Sequence, residues 1–209
     1  MADDFHKPTL FAGHRFDVFE GAPDPAQRTR AAHETAQALL ARVREGADPA
    51  VVERLVHFTD EHGLETVAEL WSHTRAETLP GALWRVYLTR AFITHDATES
   101  SWLFQRGVDE LGTIDPVVAG AADPAGPADV LELSDLILRG VFDGDLAIAL
   151  ERAASFCRLA ARGSTSVAND LEATEPERAE RLTRRALRLS SMADELTAAA
   201  RLWNDGTLD

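Results

Sequence analysis

Apolar positions along this chain recur at helical rather than alternating spacing, in blocks set apart by strong helix punctuation. Residues 79–95 carry Leu83, Trp84, Val86, Tyr87, Leu88, Ala91, Phe92 and Ile93, apolar almost all round, so this helix belongs inside a bundle with Trp84 in the core. Val130, Leu133, Ile137 and Val141 form one stripe over 130–142. From 146 onward, Leu146, Ala149, Leu150, Ala153, Phe156, Cys157 and Ala160 keep the same period. Counting heptads from Leu182, positions a and d read Leu182, Arg185, Leu189, Met192, Leu196, Ala199 and Trp203. That seam suits an antiparallel partner helix, either within the chain or in a second copy.

The punctuation places the boundaries. Asp24-Pro25 and Asp48-Pro49 set an N-cap aspartate before a proline at the first helical position. Asp96-Ala97-Thr98-Glu99 and Thr174-Glu175-Pro176-Glu177 read as capping boxes. Gly46, Gly63, Gly140 and Gly163 stand where helices should stop. Together these predict helices over 25–45, 49–62, 64–75, 79–95, 97–110, 128–141, 144–162 and 175–203. The expected fold is all-α: an irregular bundle of about eight helices with a long C-terminal helix. Residues 25–209 are expected to form a single domain, interrupted by a Gly- and Pro-rich crossing loop over 111–127. Residues 1–24 carry Phe5, Phe11, Phe16 and Phe19 and read as a non-helical arm docked on its own body or on a neighbour. No repeat of solenoid length is present.

Composition narrows the function classes. The 209 residues include 35 alanines and 20 arginines but one lysine, a bias toward helix formers and toward GC-rich codons. A formal net charge of −14 disfavours attraction to nucleic acid or anionic lipid by the surface as a whole. No apolar run is long enough for a membrane span, and the first ten residues lack the pattern of a secretory leader. A lone Cys157 permits no internal disulfide and points to a reducing cytoplasm.

Charge is polarised along the chain. Residues 96–145 hold 11 acids against Arg106 and Arg139. The start of the last helix is basic, and Arg178, Arg181, Arg185 and Arg188 share one helical stripe. That stripe is a candidate contact for an anionic partner, unless the chain's own acids occupy it. Trp84, Tyr87 and Trp102 are candidates to line a small-molecule or lipid pocket. Glu53, His57 and Glu61 share i, i+4 spacing, as do Glu65, Glu69 and His73, but the latter row points away from its apolar face. The inward Glu-x-x-His pairs of a di-iron bundle are missing, so no metal or cofactor is implied. His62 and the His95-Asp96 pair lack an accompanying nucleophile, and no phosphate-binding, nucleophile-elbow or zinc-protease motif occurs. Cys157 sits on an apolar face beside Phe156 and Leu159, the setting of an inert thiol. The enzyme class therefore has no catalytic residue to name.

The string Phe142-Asp143-Gly144-Asp145 is similar to part of the NADFDGD signature of the large catalytic subunit of multisubunit RNA polymerases. Val141 stands where that signature has its first Mg²⁺ ligand, and loss of one hard oxygen ligand would cripple such a site. The simpler reading is punctuation: a glycine ends one helix, and Asp143 or Asp145 caps the next. The stretches LPGALWRVYLTR (79–90), TIDPVVAGAADPAGP (113–127), ILRGVFDGDLAIALERAASFC (137–157) and ERLTRRALRLSSMADEL (180–196) together resemble a family of uncharacterised small helical proteins from GC-rich actinobacteria. Some members carry an RNA polymerase β-subunit label. The resemblance implies a helical fold and carries no site residues. The expected function is a cytoplasmic interaction or regulatory module, a homodimer with a further protein partner. A ligand-binding bundle is one alternative, and an accessory factor of transcription without polymerase catalysis is another.

Overall fold

The computed structural model describes residues 25–41, 63–111, 125–138, 142 and 144–209. The arm expected over 1–24, the helix expected over 49–62 and the interior of the 111–127 loop lie outside the described residues. Pro25 opens α1 (Pro25–Ala41), followed by α2 (Leu64–Trp71), α3 (Leu79–His95), α4 (Ala97–Leu111) and α5 (Pro127–Leu138). Two long helices complete the order, α6 (Leu146–Leu171) and α7 (Pro176–Asn204). The expected all-α class and long C-terminal helix are present, and the described residues contain no strand.

The all-round apolar segment occupies the position its pattern demands: α3 contacts each of the other six helices. Its start is set by Thr78, whose hydroxyl accepts the Gly81 amide at 3.3 Å, with Leu79-Pro80 supplying the proline of the first turn. Gly81 cannot be larger, because a Cβ there would fall 1.8 Å from the Arg75 carbonyl oxygen of the preceding turn. The Leu79 amide donates to the main-chain oxygen of Asp209 at 2.6 Å, and Leu208 packs on the core. The chain beyond α7 thus returns to the head of α3.

Leu83, Val86 and Ile93 are buried on α3, but Trp84 is only half-buried. The fully buried tryptophan is instead Trp71 on α2, whose indole donates to Thr35 Oγ1 of α1 at 3.1 Å. That bond satisfies the one polar atom that burial would otherwise strand. Helix α2 stops at Trp71 rather than near 75 because hydroxyls take its last carbonyls: Ser72 donates to Glu69 and Thr74 to Trp71.

The most extensive contact of the described residues is the antiparallel hairpin of α6 and α7. Leu182, Leu189, Leu196 and Ala199 of the expected seam are buried, whereas Arg185, Met192 and Trp203 are half-exposed. Their place is taken by Ala179, Ala186, Ala193 and Ala200, a heptad of small residues. On α6, Ala147, Ala154, Ala161 and Ala168 repeat at the same interval. Small side chains let the two backbones run close, which shifts the seam toward alanine.

Gly163 corrects a boundary. It does not end the helix; α6 continues to Leu171, and Gly163 is buried within it. A Cβ on Gly163 would lie 1.9 Å from the Leu103 carbonyl oxygen, and one on Gly107 would lie 1.9 Å from that of Leu159. The two glycines are where α4 crosses α6 backbone to backbone. The box predicted at 174–177 is also absent: Glu175 occupies the N-cap of α7 and makes no side-chain cap bond. At 96–99 half the box forms, with the Glu99 amide donating to Asp96 Oδ1 at 2.8 Å.

Candidate interaction surface

The charged residues divide by which face of their helix meets another helix. Arg85 of α3 holds Glu195 of α7 at 2.8 Å, and Arg90 of α3 holds Asp135 of α5 at 2.6 Å. Arg106 of α4 donates to Ser166 and to Asp170 of α6 at 3.0 and 2.8 Å, while Ser166 donates to Glu110 at 2.7 Å. Arg158 of α6 donates to Thr197 of α7 at 3.0 Å. These groups fasten neighbouring helices.

The predicted arginine stripe is split by the same rule. Arg185 turns inward, donates to Glu99 of α4 at 2.6 Å and lies 5.8 Å from the centre of the Phe92 ring. Glu99 is thereby taken from the capping box it was expected to complete. Arg178 reaches Glu175 at 3.5 Å. Arg181 and Arg188 face solvent and form no ion pair with a described residue. Between them stand Arg184, joined to Glu180 at 2.9 Å, and Leu187, which is 66% exposed. A seam counted through the leucines and Arg185 leaves Arg184 off the stripe and gives Leu187 no role. Centring it on the alanines rotates the outer face onto Arg181, Arg184, Leu187 and Arg188.

The aromatic candidates are not gathered into one place. Trp84 and Tyr87 stack on α3 with ring centres 5.3 Å apart, both half-buried. Burial and the nearby Glu65 carboxylate raise the Tyr87 phenol above its usual range, against an opposing pull from Arg90. Trp102 lies on α4, 47% exposed, and stacks on neither ring.

Glu65, Glu69 and His73 are exposed, as their spacing predicted, and no group of three metal-ligating side chains occurs among the described residues. Glu53, His57, Glu61 and His62 lie outside them. His95 is an exposed final residue of α3, next to Asp96 in its capping role. Cys157 is fully buried, and burial pushes its thiol up to about 12, against weaker pulls from the Thr89 hydrogen bond and Arg158. Thr89 Oγ1 lies 3.6 Å from Cys157 Sγ and donates to Met192 Sδ at 3.3 Å, locking α3, α6 and α7 at one point. A thiol so protonated is no nucleophile. Asp145 accepts the Ala147 amide at 2.8 Å as N-cap of α6, which accounts for one aspartate of the FDGD string; Asp143 lies outside the described residues.

The class defined by these features is an all-α protein whose described interhelical contacts are tied by ion pairs and hydrogen bonds, with Leu187 of α7 and Leu136 of α5 among the apolar side chains turned outward. No helix among the described residues is long and apolar enough to cross a membrane. Neither a family model, nor a curated protein, nor a solved structure matches the chain.

Proposed function

We propose that this acidic chain is a non-catalytic cytoplasmic module that works by contact with other proteins, a second copy of itself among them. One observation carries the reading: the outer face of α7 presents Leu187 framed by Arg181, Arg184 and Arg188. Arginine beside an exposed apolar side chain is a composition that interfaces favour, because the guanidinium offers directed hydrogen bonds and an apolar plane together. The commitment of Arg85, Arg90 and Arg106 to interhelical ties supports the same view.

Native mass spectrometry of the gently purified full chain tests it. The expected spectrum shows a species of two copies with no added mass, and the dimer share falls on dilution. A reproducible adduct of small-molecule mass on a monomer would replace the module by a ligand carrier.

A further inference from the structure

We infer that the outer face of α5 in one copy docks on the outer face of α7 in another, a head-to-tail contact that rests on the module reading above. Helix α5 turns Asp129, Glu132 and Leu136 to solvent, the leucine 39% exposed. Helix α7 turns Arg181, Arg184, Leu187 and Arg188 to solvent. At the helical rise, the second charge follows the first by about 4.5 Å on both, and the leucine lies about 10.5 Å along on α5 and about 9 Å along on α7.

The two patterns match in one orientation only. Laid parallel, Asp129 faces Arg181, Glu132 faces Arg184, and Leu136 faces Leu187 and Arg188. Of the acids on the α7 face, Glu180 then falls opposite Ala128, and Glu177 lies beyond the first turn of α5, which begins at Pro127. Laid antiparallel with the leucines opposed, Glu132 would face Ser191 and Asp129 would face Asp194. The first pair gains little and the second repels.

The groups are free to make the contact. Glu132, Arg181 and Arg188 have no ion-pair partner among the described residues. Asp129 spends one oxygen on the Gly126 amide at 3.0 Å and keeps the other. Arg184 is held by Glu180, but both are well exposed, and such pairs exchange at little cost. Asp135, the remaining acid of α5, is withdrawn from the face by Arg90.

Within one chain the two faces do not meet: α5 and α7 each pack against α3 and α6, and no ion pair joins them. The net charge of −14 repels two copies at a distance, but screening confines that repulsion to about 8 Å at physiological salt, leaving local complementarity to decide at contact. Because unlike patches meet, each pair leaves a basic face at one end and an acidic face at the other. Association then continues to rings or chains as concentration rises.

Sedimentation velocity on the full chain tests this, at concentrations up to about 500 µM since exposed charge pairs give weak affinity. Arg181→Gln/Arg184→Gln blocks the basic face, and Asp129→Asn/Glu132→Gln blocks the acidic one. Each variant alone should associate at least about tenfold more weakly than the parent. Mixed in equal amounts, they should form a heterodimer and stop there, because one intact face of each kind remains. Should a double variant melt early, Leu187→Ser, which removes only an exposed side chain, should produce the same loss. Association that survives the variants, or a mixture that stays monomeric, overturns the assignment of faces while the module reading stands. A parent chain that is monomeric throughout and carries a small-molecule adduct overturns both.

Discussion

Gly163→Ala is a substitution whose sign separates two views of α6. If Gly163 is merely a weak point in a long helix, alanine should stabilise the protein by about 1 kcal/mol through helix propensity. The structure predicts the opposite. A Cβ on Gly163 falls 1.9 Å from the Leu103 carbonyl oxygen and 2.9 Å from the Gly107 nitrogen, both main-chain atoms. Close carbon–oxygen contacts between helices settle near about 3.3 Å, so α4 and α6 must part by about 1.4 Å. No rotamer change relieves the clash, and Leu103, fully buried beside it, loses packing as the gap opens. Forcing a methyl group into a filled interior costs about 1–3 kcal/mol, more where backbone must move, and that outweighs the propensity gain. The expected net loss is at least about 2 kcal/mol in urea unfolding followed by far-ultraviolet circular dichroism. Gly107→Ala should lose a similar amount, since its Cβ would lie 1.9 Å from the Leu159 oxygen. The double variant should lose less than the sum, because helices already parted accept the second methyl group more readily. A Gly163→Ala protein as stable as the parent, or more so, would refute the close crossing.

The remaining predictions concern tryptophans, caps and the thiol. Trp71→Ala should cost about 3–5 kcal/mol in the same assay, and Trp102→Ala, half-exposed, should stay within about 0.5 kcal/mol; the reverse order would mean that α2 is not docked through Trp71. Asp145→Ala should cost about 1 kcal/mol by removing the bond to the Ala147 amide, whereas Thr174→Ala should be neutral; equal losses would restore the capping box at 174–177. Cys157 keeps its proton in the folded chain up to about 12 but loses it near 9.0 when unfolded. Its contribution to stability is therefore complete below pH 9 and declines as the pH rises toward 12, the folding constant falling about tenfold per pH unit. Comparing parent with Cys157→Ala across that range isolates the effect from Tyr87, which shifts the same way; superimposable pH profiles would contradict it.

Secondary structure was legible wherever apolar period and punctuation agreed. The 79–95 helix is the clearest case: its near-continuous apolar surface foretold a central position, and α3 contacts every other described helix. Burial of individual residues within it was less legible, because a central helix still has a rim. Trp84 falls on that rim, and the shorter, more ordinary stretch ending at Trp71 supplies the buried indole. Gly163 was misread for a physical reason. A glycine after a run of helix formers carries the same local signal whether it ends the helix or admits a second backbone. Only the crossing of α4, some sixty residues earlier in the chain, distinguishes the two. The arginine stripe shows the same limit: spacing puts four guanidiniums on one side of α7, but whether the chain's own acids occupy it turns on Glu99 and Phe92, both distant in sequence, which take Arg185.

Alanine shows how composition and position carry different information. An excess of alanine and arginine over lysine is what a GC-rich genome produces, and on that ground the 35 alanines say little about fold. Codon bias, however, has no means of choosing a helix face. All seven alanines of α6 are buried, and so are five of the six in α7, the exception being the half-buried Ala198. Two registers of seven-residue spacing, 147 to 168 and 179 to 200, are buried along the two helices of the hairpin. Selection for close approach accounts for that placement. Large apolar side chains fill the space where α3 and α4 meet the hairpin: Phe156 stacks on Phe104 with ring centres 5.6 Å apart and meets Phe92 tilted at 6.2 Å. The same logic bears on Leu187. The inner face of α7 is reserved for alanine and leucine, and the 66% exposed Leu187 lies on the opposite side among Arg181, Arg184 and Arg188, which is why the proposed contact is centred on it.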